Sequence, residues 1–196
     1  MASQKGKRPW EVHGISSPFK IATEVRESKI PGAGLGRFAL EDCPKGTVVR
    51  SHRFMSVSEY IDSAAVADSS MGAIEIQGAA DLDALVSYYA SSPEEMDEIR
   101  PTVASFVAGI QSAYSADGQS FMFMLFPVSH VNHSPSPNIR ENRKGDLWFV
   151  QSIADIKAGD EILSDYTVFY FSDEVREWHK RHNLMDCTTF AESLKA

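Results

Sequence analysis

Two short polar segments constrain this chain more than any other feature, because each follows apolar sequence and carries groups that need partners. The first, Val131 to Ile139, has the sequence VNHSPSPNI, and the second, Ile156 to Tyr166, has the sequence IKAGDEILSDY. A buried Asn or His must find hydrogen-bond partners. Asn132 and His133 therefore predict either turn capping or a ligand site. Taken alone, each segment is also typical of ordinary turns.

A third segment lies early in the chain, between two predicted strands. It runs from Pro31 to Ala39 with the sequence PGAGLGRFA. Its central Gly34-Leu35-Gly36 can take positive φ and lets a ligand approach the backbone closely. Taken by itself, such a stretch is more often a glycine-rich hairpin turn than a cofactor loop. Strand rather than helix pattern follows, which excludes a dinucleotide-binding fingerprint.

In this order and spacing, the three segments resemble the signature motifs of the SET-domain protein-lysine methyltransferase family. With the sequence between them they span most of residues 19–170. The resemblance implies a mainly β fold with a helical insertion and a C-terminal helix. Its several short sheets would surround a knot-like crossing of the segments that contain Asn132 and Tyr166. Simple topology rules would not predict such a knot.

The same resemblance implies a cofactor, S-adenosyl-L-methionine, and the residues that bind it. The turn formed by Gly34, Leu35 and Gly36 would wrap part of the cofactor. Asn132 and His133 would contact it, with the Asn amide at its amino-acid end. Relatives often carry Cys where this chain has Pro135. That difference removes a zinc ligand used by some of them and leaves the cofactor contact in place.

Tyr166, at the end of the second segment, is the predicted catalytic residue. In the family the matching Tyr lies where the lysine amine meets the methyl-bearing sulfonium. A lysine with a pKa of about 10.4 must lose its proton before it can attack. A narrow apolar channel disfavours the charged form and lowers that pKa. The Tyr hydroxyl would orient the amine and stabilise developing charge.

Aromatic residues around Tyr166 are candidates for the wall of a substrate channel that receives the lysine. The candidates are Phe121, Phe123, Phe169 and Tyr170. Aromatic faces suit a methylammonium product, although each residue taken individually is more often part of a core than of a channel. Ser164 stands where relatives carry residues that influence how many methyl groups fit. Its small size predicts room for more than one methyl.

Charge and composition bound the partners and the compartment. The formal net charge is −8, which argues against nucleic-acid binding through a broad basic surface. It suits a Lys- or Arg-rich peptide partner, or it serves solubility alone. No apolar run approaches the ~18–20 residues that span a bilayer, and the first residues lack a secretory pattern. We expect an intracellular protein, in the nucleus or cytoplasm.

We expect no metal site. The two cysteines, Cys43 and Cys187, are too few for a disulfide framework or a Cys-rich zinc site. Two pairs of histidines have metal-like spacing, one at His130 and His133 and the other near the C-terminus. Neither pair has a convincing third ligand nearby in the sequence.

The chain of 196 residues predicts one domain with an insertion. Residues 1–17 are predicted to be a flexible tail, and 18–170 the SET domain. Residues 57–115 within it form a helical insertion, with a helix start at Ser92-Pro93. The residues of the next apolar stripe have helical spacing: Val103, Phe106, Val107 and Ile110. Residues 171–196 are predicted to be a helical segment that closes the active site, with Ser172 as the cap of its helix.

The sequence therefore predicts transfer of methyl groups to the ε-amine of lysine in a protein or peptide substrate, histone or non-histone. Two alternatives stay open. One is a catalytically weak SET-fold module that holds a peptide or cofactor without turnover. The other is a methyltransferase acting on another protein nucleophile, such as His.

Overall fold

Short strands are the most numerous elements of the fold. The structure, a computed structural model, describes residues 19–62, 73–110, 120–125, 130–185 and 189. Within these ranges the strands are β1 (Thr23–Glu27), β2 (Leu35–Ala39), β3 (Val48–Met55), β4 (Ala73–Ile76), β5 (Val107–Ile110), β6 (Phe121–Leu125), β7 (Asn132–His133), β8 (Ile139–Lys144), β9 (Leu147–Ser152) and β10 (Leu163–Ser164). The mainly β architecture predicted from the sequence is confirmed. The predicted tail, residues 1–17, lies outside the described residues.

The largest sheet has six strands in the order β5-β6-β4-β3-β9-β8. Its neighbours pair antiparallel except β3 and β4, which are parallel. Along β9, Trp148, Val150 and Ser152 are buried while the residues between them are more exposed. This period of two is the pattern expected of a strand with one face on the core. The sheet therefore joins sequence from both sides of the insertion into one layer.

A separate hairpin of β1 and β2 presents the glycine-rich turn. The two strands pair antiparallel from Thr23 with Ala39 to Glu27 with Leu35. Gly32 and Gly34 in the turn have φ of +78° and +71°, a region that L side chains rarely adopt. The hairpin confirms the predicted turn between two strands, with the first strand beginning at Thr23.

The two motif segments run side by side as a short parallel pair, β7 and β10. Asn132 lies opposite Leu163, and His133 lies opposite Ser164. Asn138 fastens the pair, because its Nδ2 donates to the Glu161 carbonyl at 2.8 Å and its Oδ1 accepts from Leu163 N–H at 2.9 Å. The segments whose crossing the resemblance implied are thus in direct contact.

In the described part of the chain before β6 there are three α-helices: α1 (Val57–Asp62), α2 (Ala79–Tyr89) and α3 (Pro93–Ser105). Helix α3 begins as predicted, with the Ser92 side chain accepting from Glu95 N–H. The prediction for the next stripe was wrong, since Val107 and Ile110 belong to strand β5. The insertion also contains β4, and both strands pair with β6. The pairing of β5 with β6 therefore outweighed the helical spacing of these apolar residues.

Ser172 caps helix α4 (Asp173–Arg181), as the sequence predicted, and its side chain accepts from Val175 N–H. The helix packs on α2. Trp178, fully buried, donates from Nε1 to Asp83 at 2.7 Å. The Glu174 carboxylate accepts from Ala79 N–H at the start of α2. The C-terminal helix is therefore tied to the insertion.

In the portion of the chain that the structure describes, no helix is both long and apolar enough to cross a membrane.

Candidate active site

A cavity of about 460 Å³ opens where the motif segments meet the glycine turn. Leu35 reaches it from the turn, Asn132 from β7, and Tyr166 from the residues after β10. The remaining wall is mainly apolar and aromatic, with Phe106, Val107, Ala108, Phe123 and Phe169 among its residues. The cavity therefore brings together one predicted residue from each of the three segments.

Asn132 joins the glycine turn to the second motif. Its Nδ2 donates to the Leu35 carbonyl at 3.0 Å and to Glu161 Oε1 at 2.9 Å. Both partners are acceptors, so they fix which end of the amide faces them. The two amide hydrogens are thereby used. The carbonyl oxygen Oδ1 is left as the atom that can accept from a further group, such as an ammonium.

Glu161 is the centre of this polar network. It accepts from Ser28 Oγ at 2.7 Å, from Lys29 N–H at 3.0 Å and from Asn132. Partial burial is the largest single influence on its pKa and acts to raise it. The hydrogen bonds and the Lys29 charge outweigh that influence and lower the pKa below its ordinary value. Glu161 is therefore an ionised clamp that holds the glycine turn against β7.

A side chain at Gly36 would force the Glu161 carboxylate to move. A Cβ built there would lie 2.2 Å from Glu161 Oε1 and 3.2 Å from Asn132 Nδ2. Gly34 differs, because nothing lies within 4 Å of its Cβ position and its positive φ is what favours glycine. The two glycines of the predicted cofactor turn are thus required for different physical reasons.

His133 positions the backbone of Tyr166. Its Nδ1 accepts from Tyr166 N–H at 3.1 Å, so this nitrogen carries no hydrogen while the bond is made. Asp165 Oδ1 lies 3.7 Å from the same nitrogen. The His133 side chain is not among the groups that line the cavity. In this structure its observed contact is with the second motif.

Tyr166 itself is half-buried and held at both ends of its side chain. Its hydroxyl donates to the Val131 carbonyl, and its ring stacks on Phe169 with centroids 5.1 Å apart. The hydroxyl oxygen is thereby fixed beside the cavity with its hydrogen directed at a carbonyl. A group placed in this way can accept a hydrogen bond from an amine.

The predicted channel residues are not all at the cavity. Phe123 and Phe169 line it, whereas Phe121, Ser164 and Tyr170 do not. Phe121 is buried in the sheet and packs edge-on against Phe54. The backbone N–H of Tyr170 donates to Gly109 at 2.8 Å. The role of each residue stays a prediction, and two of the five are placed to contact a ligand there.

Ser164 is fully buried, and its hydroxyl donates to Glu141, 3.0 Å from each carboxylate oxygen. Glu141 lines the cavity and was not anticipated from the sequence. A usable signal existed. Ile139 and Glu141 alternate along β8 with the exposed Arg140, so they share the buried face. A carboxylate on that face is the kind of group that needs a functional or structural explanation.

Metal binding finds no candidate among the described residues, where no group of three or more His, Cys, Asp or Glu side chains is arranged to hold an ion.

Comparison with known proteins bears on the family. A family model described as the SET domain matches residues 34–167. A search of curated proteins finds no significant match. Among solved structures, similar chains occur in the Chaetomium thermophilum polycomb repressive complex 2, at 17% identity and a TM-score of 0.42 over 74% of this chain. That match covers 15% of the other chain.

Two further solved structures of polycomb repressive complex 2 are also similar to this chain. One is titled ctPRC2 in an autoinhibited conformation bound to S-adenosylmethionine, with 16% identity, a TM-score of 0.46 and coverage of 83% of this chain. The other is a humanized mutant of the Chaetomium thermophilum complex bound to an inhibitor, with 17% identity, a TM-score of 0.44 and 84% coverage. This chain spans 17% of the length of each of those chains.

The family match covers well over half of the sequence and includes the glycine turn, both motif segments and Tyr166. It confirms the resemblance drawn from the three segments and, with it, the predicted fold class. The chain belongs to the SET domain family, whose members are methyltransferases.

Proposed function

We propose that this protein is an S-adenosyl-L-methionine-dependent protein-lysine N-methyltransferase. The observation that carries the proposal is the shared cavity, in which Asn132 from the first motif and Tyr166 from the second lie against one mainly apolar wall. An acceptor for the α-ammonium group of the cofactor and a positioned hydroxyl for the target amine would thereby be available in a single site.

The residues present fit the proposed cofactor. The two hydrogen bonds that Asn132 Nδ2 donates fix the orientation of the amide and so of Oδ1. This oxygen would accept from the α-ammonium group of the cofactor. Leu35 and the adjoining Gly34 and Gly36 would follow the cofactor along the turn, and His133 would support the site beneath it. When bound, S-adenosyl-L-methionine would supply an electrophilic methyl group on a sulfonium, which passes in line to a nucleophile while S-adenosylhomocysteine leaves.

Tyr166 is proposed to orient the target amine. Its ring is fixed by Phe169 and its hydroxyl by the Val131 carbonyl, so the oxygen adds little reorganisation cost at the moment of reaction. The apolar wall, which includes Phe123, disfavours a charged lysine and lowers its pKa. Both effects favour the neutral amine in an attacking orientation.

The proposed substrate is a protein or peptide that carries lysine, histone or non-histone. A net charge of −8 suits a basic segment. Binding to nucleic acid or membrane is not proposed. The proposed compartment is intracellular, in the nucleus or cytoplasm.

Two rival functions can be separated from this one by experiment. A binding module would hold the cofactor or a peptide and transfer nothing. A histidine methyltransferase would label imidazole nitrogens. The fixed hydroxyl of Tyr166 favours turnover over binding alone, because a module that only binds gains nothing from a hydroxyl held beside the ligand.

The test combines binding with mass spectrometry. Calorimetry with S-adenosyl-L-methionine and S-adenosylhomocysteine should show binding, and each ligand should raise the melting temperature by mass action. A proteome incubated with the protein and a labelled methyl donor should gain label on lysine. An Asn132→Ala protein is the matched variant, expected to lose affinity for both ligands. Absence of heat and of thermal shift at saturating ligand would contradict the proposal, and label on histidine alone would support the second rival.

A further inference from the structure

Glu141 is a buried carboxyl that the proposed mechanism does not use. It is 8% exposed and lines the cavity together with Tyr166 and Phe169. Its side-chain partner is the Ser164 hydroxyl. Among the described residues, no cation lies within ion-pair distance of its oxygens. A carboxyl in this position is costly to bury, and a purely structural role would be served at lower cost by an apolar residue.

Charged and titratable groups face Glu141 from several elements. Arg50 of β3 is fully buried, and neither of its Nη atoms has a hydrogen-bond partner. Asp165, after β10, adds a negative charge that opposes ionisation of Glu141. His130 and Tyr166 are further titratable groups on the cavity wall. The carboxyl is thus influenced by Arg50 through space without being neutralised by it.

The environment makes Glu141 more basic than an ordinary carboxylate. Burial is the largest influence and raises its pKa, while the Ser164 hydrogen bond and the charge of Arg50 act in the opposite direction. A carboxylate with a raised pKa binds a proton more readily than an ordinary one, which is the property that a proton acceptor needs.

We propose that Glu141 accepts the proton that the target ammonium group loses before methyl transfer. The inference rests on the proposed function and deepens it, because it names the residue that receives the proton of the lysine ammonium group. An imidazole, with a pKa of about 6.5, is mostly neutral at physiological pH and attacks without prior deprotonation. A buried proton acceptor therefore serves lysine in particular.

The step balances without any further reactant. The N–H bond of the ammonium breaks and an O–H bond forms on Glu141, which gives a neutral amine and a neutral carboxylic acid. The amine lone pair then forms the N–C bond as the C–S bond of the methyl donor breaks, and that electron pair returns to sulfur. The product ammonium carries the positive charge that the sulfonium has lost.

The first test is the pH dependence of kcat/KM for Glu141→Gln. The kcat/KM of the wild type should rise with pH as Glu141 ionises and then level off, because the base is then in place. The variant depends on free amine, so its kcat/KM should rise roughly tenfold per pH unit through the neutral range. At neutral pH we expect the variant to be about 10²-fold slower, and the deficit should shrink at alkaline pH.

A second variant, Ser164→Ala, keeps the carboxyl and removes its hydrogen-bond donor. The hydrogen bond lowers the pKa of Glu141, so its loss should move the acidic limb of the profile to higher pH. The matched control is Glu75→Gln. Glu75 is a partly buried glutamate of β4 that pairs with Arg143 and does not line the cavity. Its pH profile should keep the wild-type shape.

Stability against pH gives a readout that needs no activity. A folded-state pKa above the unfolded value means that the wild type loses stability as pH rises from about 4.3 through the folded pKa. The Glu141→Gln variant lacks this loss. Its free energy of unfolding relative to that of the wild type, measured with denaturant, should therefore rise with pH and then level off. A difference that is independent of pH would contradict the inference.

The outcomes separate the inference from the proposed function. Parallel pH profiles for wild type and Glu141→Gln, in a protein that transfers methyl groups, would overturn the role of Glu141 alone. A wild-type protein that neither binds S-adenosyl-L-methionine nor methylates protein would overturn both. A Glu141-dependent acidic limb, moved by Ser164→Ala and unmoved by Glu75→Gln, is the expected result.

Discussion

The region around β7 and β10 and the helical layer of the insertion are held together in different ways. In the first, side-chain hydrogen bonds fix the chain, with Asn132, Asn138 and Glu161 each joining segments that are distant in sequence. In the second, apolar volume dominates, and Leu82 and Leu85 of α2 are completely buried. Hydrogen-bonded positions demand one particular residue, while apolar positions accept others of similar size.

One polar pair within the insertion qualifies this contrast. The hydroxyls of Tyr60 and Tyr89 hydrogen-bond to each other between α1 and α2. Burial raises the pKa of Tyr60 to about 12 and also raises that of Tyr89. Both hydroxyls therefore stay protonated at neutral pH, and the pair is a satisfied core contact. Substitutions in the insertion should accordingly change stability, and substitutions near β7 and β10 should change binding or turnover.

The largest expected effect tests the apolar side of the comparison. Replacing the buried Leu82 by Ala leaves a cavity in the helical layer and should cost about 2–5 kcal/mol of unfolding free energy. Cofactor affinity, measured by calorimetry below the melting temperature, should be close to that of the wild type. The control is Leu40→Ala at a position 52% exposed, where stability should hardly change. A Leu82→Ala protein with wild-type stability would contradict the claim that buried apolar volume holds the helical layer together.

Tyr166→Phe tests the polar side. The ring and its stacking on Phe169 are kept while the hydroxyl is lost, so folding should change little. Turnover should fall by roughly 10²-fold or more, and cofactor affinity should barely move. Tyr170→Phe is the matched variant and should be milder, since Tyr170 does not line the cavity. Near wild-type methylation by Tyr166→Phe would remove the assigned role and leave the fold assignment intact.

Glu161→Gln sharpens the comparison through pH. Because the folded-state pKa of Glu161 is lowered, its contribution is present above the unfolded pKa of about 4.3 and is lost as pH falls through the folded value. The variant should lose about 1–3 kcal/mol at neutral pH, the usual cost of weakening charged, buried hydrogen bonds. Denaturant unfolding at several pH values should show the two proteins converging in acid. A constant difference down to acidic pH would contradict the role of the charge.

The contrast also explains which features the sequence could predict. Asn132 and His133 stand out because they are polar residues directly after an apolar stretch, and Tyr166 was identified through the resemblance of its segment to the family motif. Helix starts at Ser92 and Ser172 were predicted correctly, since capping depends on neighbouring residues alone. The sequence therefore predicts local chemistry well.

The hydrogen-bond partners that join the segments of β7 and β10 could not be predicted in the same way. Glu161 bonds to Asn132 only because β7 and β10 lie in parallel, and a single sequence does not specify that pairing. A proline inside a helix removes one backbone hydrogen bond, yet α3 continues through Pro101 to Ser105. Pro101 and Asp97 are both exposed, so the carbonyl that loses its N–H partner can face water.

The smallest expected effect concerns the two glycines of the turn, which separate conformational strain from steric contact. Gly34→Ala meets no neighbouring atom but places a side chain at φ +71°, which should cost about 1 kcal/mol. Its cofactor affinity should decline only slightly. Gly36→Ala is the matched comparison, since its Cβ would displace Glu161 and disturb Asn132. Calorimetry should therefore show a larger loss of affinity for Gly36→Ala than for Gly34→Ala. Equal losses would mean that the Glu161 network does not support the binding site, and the contrast between the two regions would fail where it is most specific.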